Sequence, residues 1–138
     1  MHYLVDGYNV AHRLFGVAGR RATPEELREA VLRRIRPFCS KRRRVVVVFD
    51  GTPDDFGARR GGVLEIRFAR SADDEIVRIV RDDPDPSRLR VVSHDREVTG
   101  RARQLGARIV RVVDFLDDLD QLSGPDIVPG EPPEKYDL

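Results

Sequence analysis

The sequence predicts an α/β domain built on a mostly parallel five-stranded sheet with helices on both faces. Two observations carry this. Short runs rich in β-branched residues alternate with segments of helical periodicity, in the order β-α-β-β-α-β-α-β-α. One run, RVVVVFD at 44–50, is continuously apolar, as a strand buried on both faces must be. In sheets of this kind ligands bind beyond the carboxyl ends of the strands.

The elements follow in order. HYLVD (2–6) reads as the first strand and takes the centre of the sheet. TPEELREAVLRRIRPFCSK (23–41) reads as a helix, with Thr23 as N-cap, Pro24 in the first turn and Glu26 completing a capping box. Its Leu27, Val31, Ile35 and Phe38 recur at helical spacing and face the core. After the strand 44–50, GTPDDFGARRGG (51–62) is a loop by composition. VLEIRFA (63–69) is a third strand. SADDEIVRIVRDD (71–83) opens on a Ser-x-x-Asp cap signal and continues as a helix with Ala72, Ile76 and Val80 on one face, until DPDPS breaks it. LRVVSHD (89–95) is a fourth strand, and REVTGRARQLGA (96–107) a helix with Val98, Ala102 and Leu105 turned inward. RIVRVV (108–113) is a fifth strand and DFLDDLDQL (114–122) a short last helix. Residues 123–138, rich in Pro, Gly and charge, are expected to be an irregular tail after a single domain spanning 1–122.

At 138 residues the chain suits one domain, and 40% hydrophobic against 36% charged residues describes a soluble protein with a real core. No apolar run approaches membrane-spanning length and no signal peptide is evident, so a cytoplasmic setting without membrane contact is expected. The single cysteine, Cys39, excludes an internal disulfide and a multi-cysteine zinc site, and reads as a small buried hydrophobe on a helix. The net charge of +1 hides an asymmetry: residues 1–70 carry 15 Lys and Arg against 8 Asp and Glu, and residues 71–138 carry 10 against 16. A basic face for nucleic acid beside an acidic centre is compatible with that split.

Asp6, Asp50 and Asp95 each end a different predicted strand, and Asp73 lies in the first turn of the helix after the third strand. Each alone is explained as a helix cap or a turn residue. Together, a parallel sheet brings all four to one edge. Carboxylates so placed repel one another and raise their pKa values, and a divalent cation removes that cost. Oxygen ligands without cysteine favour a hard ion, Mg²⁺ or Mn²⁺, which suits phosphodiester cleavage.

Four segments, LVDGYNV, VVVVFDG, SADDEIVRIV and VVSHDRE, in this order, resemble the YacP-like branch of the NYN-domain ribonucleases, within the PIN-like nuclease group. The resemblance runs from about residue 2 to about residue 122 and is most specific at Asp6-Gly7-Tyr8-Asn9 and at Ala72-Asp73. It implies a PIN-like three-layer fold and metal-dependent endonucleolytic cleavage of RNA. Asp6, Asp50, Asp73 and Asp95 fall on the family's acids; of these Asp6, Asp73 and Asp95, with Asn9, are the expected catalytic residues. The fourth-strand motif departs from the family's common Thr-Ser-Asp, reading Ser93-His94-Asp95 here.

Around this edge, Asn9 either caps the following helix or steadies Asp6 and donates to a scissile phosphate. Asp74 reads first as a partner of the helix dipole and second as a further metal ligand, and His94 as a strand-end residue facing solvent or a helix rather than a general base. Arg59 and Arg60, in the glycine-rich loop, are expected at the active edge as a phosphate clamp. Arg13, Arg20 and Arg21, in the connection after the first strand, lie near it, with Arg13 the expected RNA contact. Tyr8 either stacks on a base or packs beneath a helix. Lys41, Arg42, Arg43 and Arg44 stand at the opposite edge. Two other classes compete with an endoribonuclease: a non-catalytic RNA-binding module, associated with a ribosome or another ribonucleoprotein, on the same fold; and a phosphatase or phosphate-signalling domain, weakened by the absence of Asp-x-Asp at Asp6-Gly7-Tyr8.

Overall fold

The computed structural model describes residues 2–16, 21–52 and 57–122. Arg20, part of the 51–62 loop and the tail 123–138 lie outside the described residues. Five strands form one sheet in the order β3-β2-β1-β4-β5, and every neighbouring pair is parallel. They are β1 (His2–Asp6), β2 (Arg44–Asp50), β3 (Leu64–Ala69), β4 (Leu89–Val92) and β5 (Arg108–Val110). The helices are α1 (Gly7–Phe15), α2 (Pro24–Ile35), α3 (Ala72–Asp82), α4 (Arg96–Gln104) and α5 (Val112–Leu122).

The strand period of two divides the buried residues between two faces. Tyr3 and Val5 of β1, Val45, Val47 and Phe49 of β2, and Leu64, Ile66 and Phe68 of β3 join a core with Val10, Val31, Ile35, Phe38, Phe115 and Leu119, which brings α1, α2 and α5 to that side. Leu4, Val48 and Val91 point the other way and meet Ala72, Ile76 and Val80 of α3 and Val98 and Ala102 of α4. The result is the three-layer α/β architecture expected, with β1 at the centre.

Five details differ from the sequence reading. The strand expected over 89–95 ends at Val92, so Asp95 stands three residues beyond it, as the N-cap of α4. The connection after β1 is itself a helix, α1, whose N-cap is Asp6, the last residue of the strand. No loop residue separates the two elements. The helix expected over 23–41 ends at Ile35 and tightens into a 3-10 turn, Arg36–Phe38, because Pro37 cannot donate to the helical ladder. Val112 and Val113 belong to α5 and not to β5. Leu105 is exposed: α4 ends at Gln104, and the chain turns away through Gly106, whose φ of 106° suits glycine. Cys39 follows the 3-10 turn, half-buried, its thiol donating to the Ile35 carbonyl, and burial pushes its pKa up to about 11.

Candidate active site

Parallel pairing and register place the strand-end acids at one edge. Asp6 lies opposite Val48, and Asp50 opposite Ala69. By parity Asp6 follows Leu4, and Asp50 follows Val48, toward the face covered by α3 and α4. Asp6 and Asp50, at their strand ends, and Asp95, three residues beyond β4, each meet the start of a helix. Asp6 caps α1, accepting through Oδ1 from the Asn9 amide N–H at 3.3 Å. Asp50 accepts from the Ala72 N–H at 3.0 Å, across 22 residues of chain, and so holds the first turn of α3 to the end of β2. Asp95 caps α4, accepting from the N–H groups of Glu97 and Val98.

Gly7 explains why the chain can turn at once from β1 into α1. It is buried, and a Cβ placed there would lie 2.2 Å from the Phe49 ring. The Phe49 ring therefore occupies the space a side chain would need, and in turn takes Tyr8 edge-on, ring centroids 5.2 Å apart. That collision is invisible in the sequence, where Asp6-Gly7 reads only as a turn.

Asn9 joins two loops. Its Oδ1 accepts from the Ser93 hydroxyl at 3.1 Å and from the His94 backbone N–H at 2.7 Å. Ser93 Oγ in turn accepts from the Asp95 N–H. A backbone N–H can only donate, so the Asn9 oxygen faces β4 and its NH₂ group is turned elsewhere. The sequence reading does not single out the buried Ser93; the available signal is its position two residues before Asp95, the cap of α4.

The electrostatics follow from this crowding. Asp6 is 5% exposed, and burial, together with the charges of Asp73 and Asp50, pushes its pKa up to about 6 against the N–H groups of Asn9 and Tyr8. The pKa of Asp73 is also raised, first by burial and then by the neighbouring carboxylates of Asp95, Asp50 and Asp74. Among the described residues, however, no three His, Cys, Asp or Glu side chains converge tightly enough to hold a metal ion by themselves. The expected four-carboxylate set is an edge of neighbouring acids rather than a closed cage, because Asp6, Asp50 and Asp95 are partly committed to helix N–H groups.

The YacP-like NYN domain family matches residues 3–125. The chain belongs to that family. It is a family of nuclease type. The fold is similar to the crystal structure of a single-substitution variant of Rae1 (YacP) from Bacillus subtilis, with TM-score 0.70 and 21% identity over 88% of this chain and 76% of that one. A second Rae1 (YacP) structure from the same organism gives TM-score 0.63 and 19% identity over 88% and 75%. No curated protein matches the sequence.

Within this NYN domain the basic residues are distributed differently from expectation. The loop before β3 doubles back, and Arg59 makes an antiparallel bridge with Ile66 at 2.8 and 2.7 Å. Three residues of β3 separate that level from Ala69, which pairs with Asp50, so Arg59 and Arg60 flank the outer edge of β3, about 10 Å short of the acids. The cause is the free edge of β3, whose N–H and C=O groups take the loop as partner. Arg13 is exposed in the second turn of α1, and Arg21 is exposed before α2. Tyr8 is half-buried: besides meeting Phe49, its hydroxyl accepts from Arg28 at 3.1 Å. Arg43, at the opposite edge, lies over Phe38 and donates to its carbonyl. His94 and Asp74 are exposed, the latter 3.9 Å from Arg101.

Proposed function

We propose that this NYN domain is a divalent-metal-dependent endoribonuclease acting at the carboxyl edge of its sheet. One observation carries the reading: a nearly buried carboxylate, Asp6, at the end of the central strand, with its pKa pushed up to about 6 beside Asp73 and Asp50, in a domain of nuclease family. Stability alone gives no reason to gather like charges there.

The donor chemistry fits a hard divalent ion, since the candidates are carboxylate oxygens only. Asp6, Asp73 and Asp95 are the residues that would hold Mg²⁺ or Mn²⁺, with Asp50 beside them. A bound ion of this kind supplies charge neutralisation at the phosphate and a more acidic water. The chain's own residues do the rest. Asp50 fixes α3, and with it Asp73, against the sheet. Asn9, its oxygen held by Ser93 and His94, is left with its NH₂ group to donate to a phosphate oxygen. Burial of Asp6 keeps bulk water from screening its charge.

A non-catalytic RNA-binding module is the second reading, favoured by the commitment of Asp6, Asp50 and Asp95 to helix N–H groups. Incubation of labelled RNA with the protein separates the two. The expected result is internal cleavage that requires Mg²⁺ or Mn²⁺, stops with chelator, and falls about a hundred- to a thousandfold in Asp6→Asn, the scale of losing one preorganised electrostatic group. RNA bound but uncut under all ions selects the binding module.

A further inference from the structure

Arg59 and Arg60 are consecutive, yet the edge of the sheet parts them. Arg59 lines a cleft on the α2 side with Arg28, Glu25 and Glu29. Arg60 lines a groove of about 460 Å³ on the α3 side with Arg67, Arg70, Asp74, Glu75 and Arg78. The second groove lies on the face toward which Asp6 and Asp50 point, and one of its ends is formed by Ala69 and Ser71, the residue opposite Asp50 and the cap of α3. Its volume is in the range of ligand-binding clefts.

The charges in this groove are not equivalent. Arg67 pairs with Glu65 and with Glu75 at 2.8 Å, and Arg78 pairs with Glu75 at 2.6 Å and Asp82 at 3.2 Å. This ladder ties β3 to α3 and neutralises the acids of the floor. Arg60 and Arg70 are exposed and, among the described residues, carry no ion pair. The α2-side cleft is different: its exposed Glu25 and Glu29, without an ion pair among the described residues, offset Arg36 and Arg59, and its Arg28 is spent on Tyr8 and on the face of Phe68.

We infer that the β3–α3 groove is the path of the RNA backbone flanking the cleaved bond, with Arg60 and Arg70 as its phosphate contacts. The inference rests on the endoribonuclease reading and extends it to a direction: the strand leaves the acids over α3 and β3. Two guanidiniums with uncommitted donors, set along a groove whose Glu75 is held by Arg67 and Arg78 and whose exposed Asp74 stands 3.9 Å from Arg101, match a sugar–phosphate chain; a small isolated anion would need only one of them.

Asp6→Asn serves as the parent for the test, so that RNA is bound without being cut. Binding of a fluorescent single-stranded RNA is followed by anisotropy from 50 to 200 mM salt without divalent ions. Replacing Arg60 and Arg70 together by Ala is expected to weaken binding about tenfold and to reduce the salt slope by about 1.4, the contribution of two single-strand phosphates. Arg59→Ala, and Lys41→Ala with Arg42→Ala at the far edge, are expected to stay within about twofold of the parent on the same scale. Unchanged binding in the Arg60/Arg70 variant, or an equal loss in Arg59→Ala, overturns the path. Failure of the nuclease reading is distinguishable: it shows as absence of cleavage by the unsubstituted protein, whatever the arginine variants bind.

Discussion

On the α1, α2 and α5 side of the sheet, Tyr3, Phe38 and Phe115 meet ring to ring at 5.2 to 5.7 Å, and Phe49 stacks on Phe68 at 5.8 Å. On the α3 and α4 side the buried core holds no aromatic ring among the described residues, only Leu, Ile, Val and Ala. The large rings fill space and remove the most apolar surface from water. The small side chains, Ala72 and Ala102 in particular, let α3 and α4 lie close to the sheet, so that their first turns reach Asp50 and carry Asp95. One face supplies packing energy; the other gives up bulk to hold carboxylates near one another.

The largest expected effect tests the aromatic face. Phe38→Ala should destabilise the domain by about 3–5 kcal/mol in urea denaturation, from lost contacts and a residual cavity. Val91→Ala, on the opposite face, should cost clearly less; equal costs would erase the contrast.

An intermediate effect of opposite sign tests the acid edge. The pKa of Asp6 in the folded protein is about 6, above its ordinary value of 3.8. The folded state therefore binds this proton more readily than the unfolded chain. Asp6 adds stability that is fully present below about pH 4 and lost as the pH rises through about 6. Asp6→Asn, which keeps an equally good N-cap, should then stabilise the metal-free protein by about 2–3 kcal/mol at pH 7.5. The difference should shrink toward zero near pH 4. Melting curves across that range decide it, and a variant no more stable than its parent at pH 7.5 would mean that the acids are not in conflict.

The smallest effect sharpens the picture on the same face. Glu75, hydrogen-bonded to Arg78 and Arg67, has its pKa lowered by those partners. It contributes stability above its unfolded pKa that is lost as pH falls through the lower folded value, the reverse of Asp6. Glu75→Gln should cost about 1 kcal/mol at pH 7, with the deficit fading in acid. A deficit that persists at pH 3 would point to packing rather than charge.

Much of this was legible in the chain. The strands 2–6 and 44–50 were read with their observed bounds, and the capping box of α2, Thr23 with Glu26, forms as its residues dictate. These are local signals: alternation, β-branching and caps act over a few residues. The strand-end positions of Asp6 and Asp50, and the first-turn position of Asp73, were equally local. Helix α1 was not legible, because its cap is the strand's own last residue and its first residue is a glycine whose reason is the Phe49 ring, 42 positions away. The placement of Arg59 and Arg60 was not legible either. It depends on which backbone the free edge of β3 recruits, a hydrogen-bonding demand that composition does not encode.

By itself, then, the sequence determined the alternation of elements, the parallel sheet and the four acids toward one edge, since hydrophobic period and element order act before any tertiary contact forms. The tertiary structure alone decided that the side-chain oxygen of Asn9, and not its NH₂ group, faces β4, how Asp6, Asp50 and Asp95 divide their attention between helix N–H groups and one another, and on which side of the sheet each loop arginine stands. Those depend on distances between segments far apart in the chain, and on the competition of a buried carboxylate between desolvation, like charge and hydrogen bonds, which is settled only when all the partners are in place.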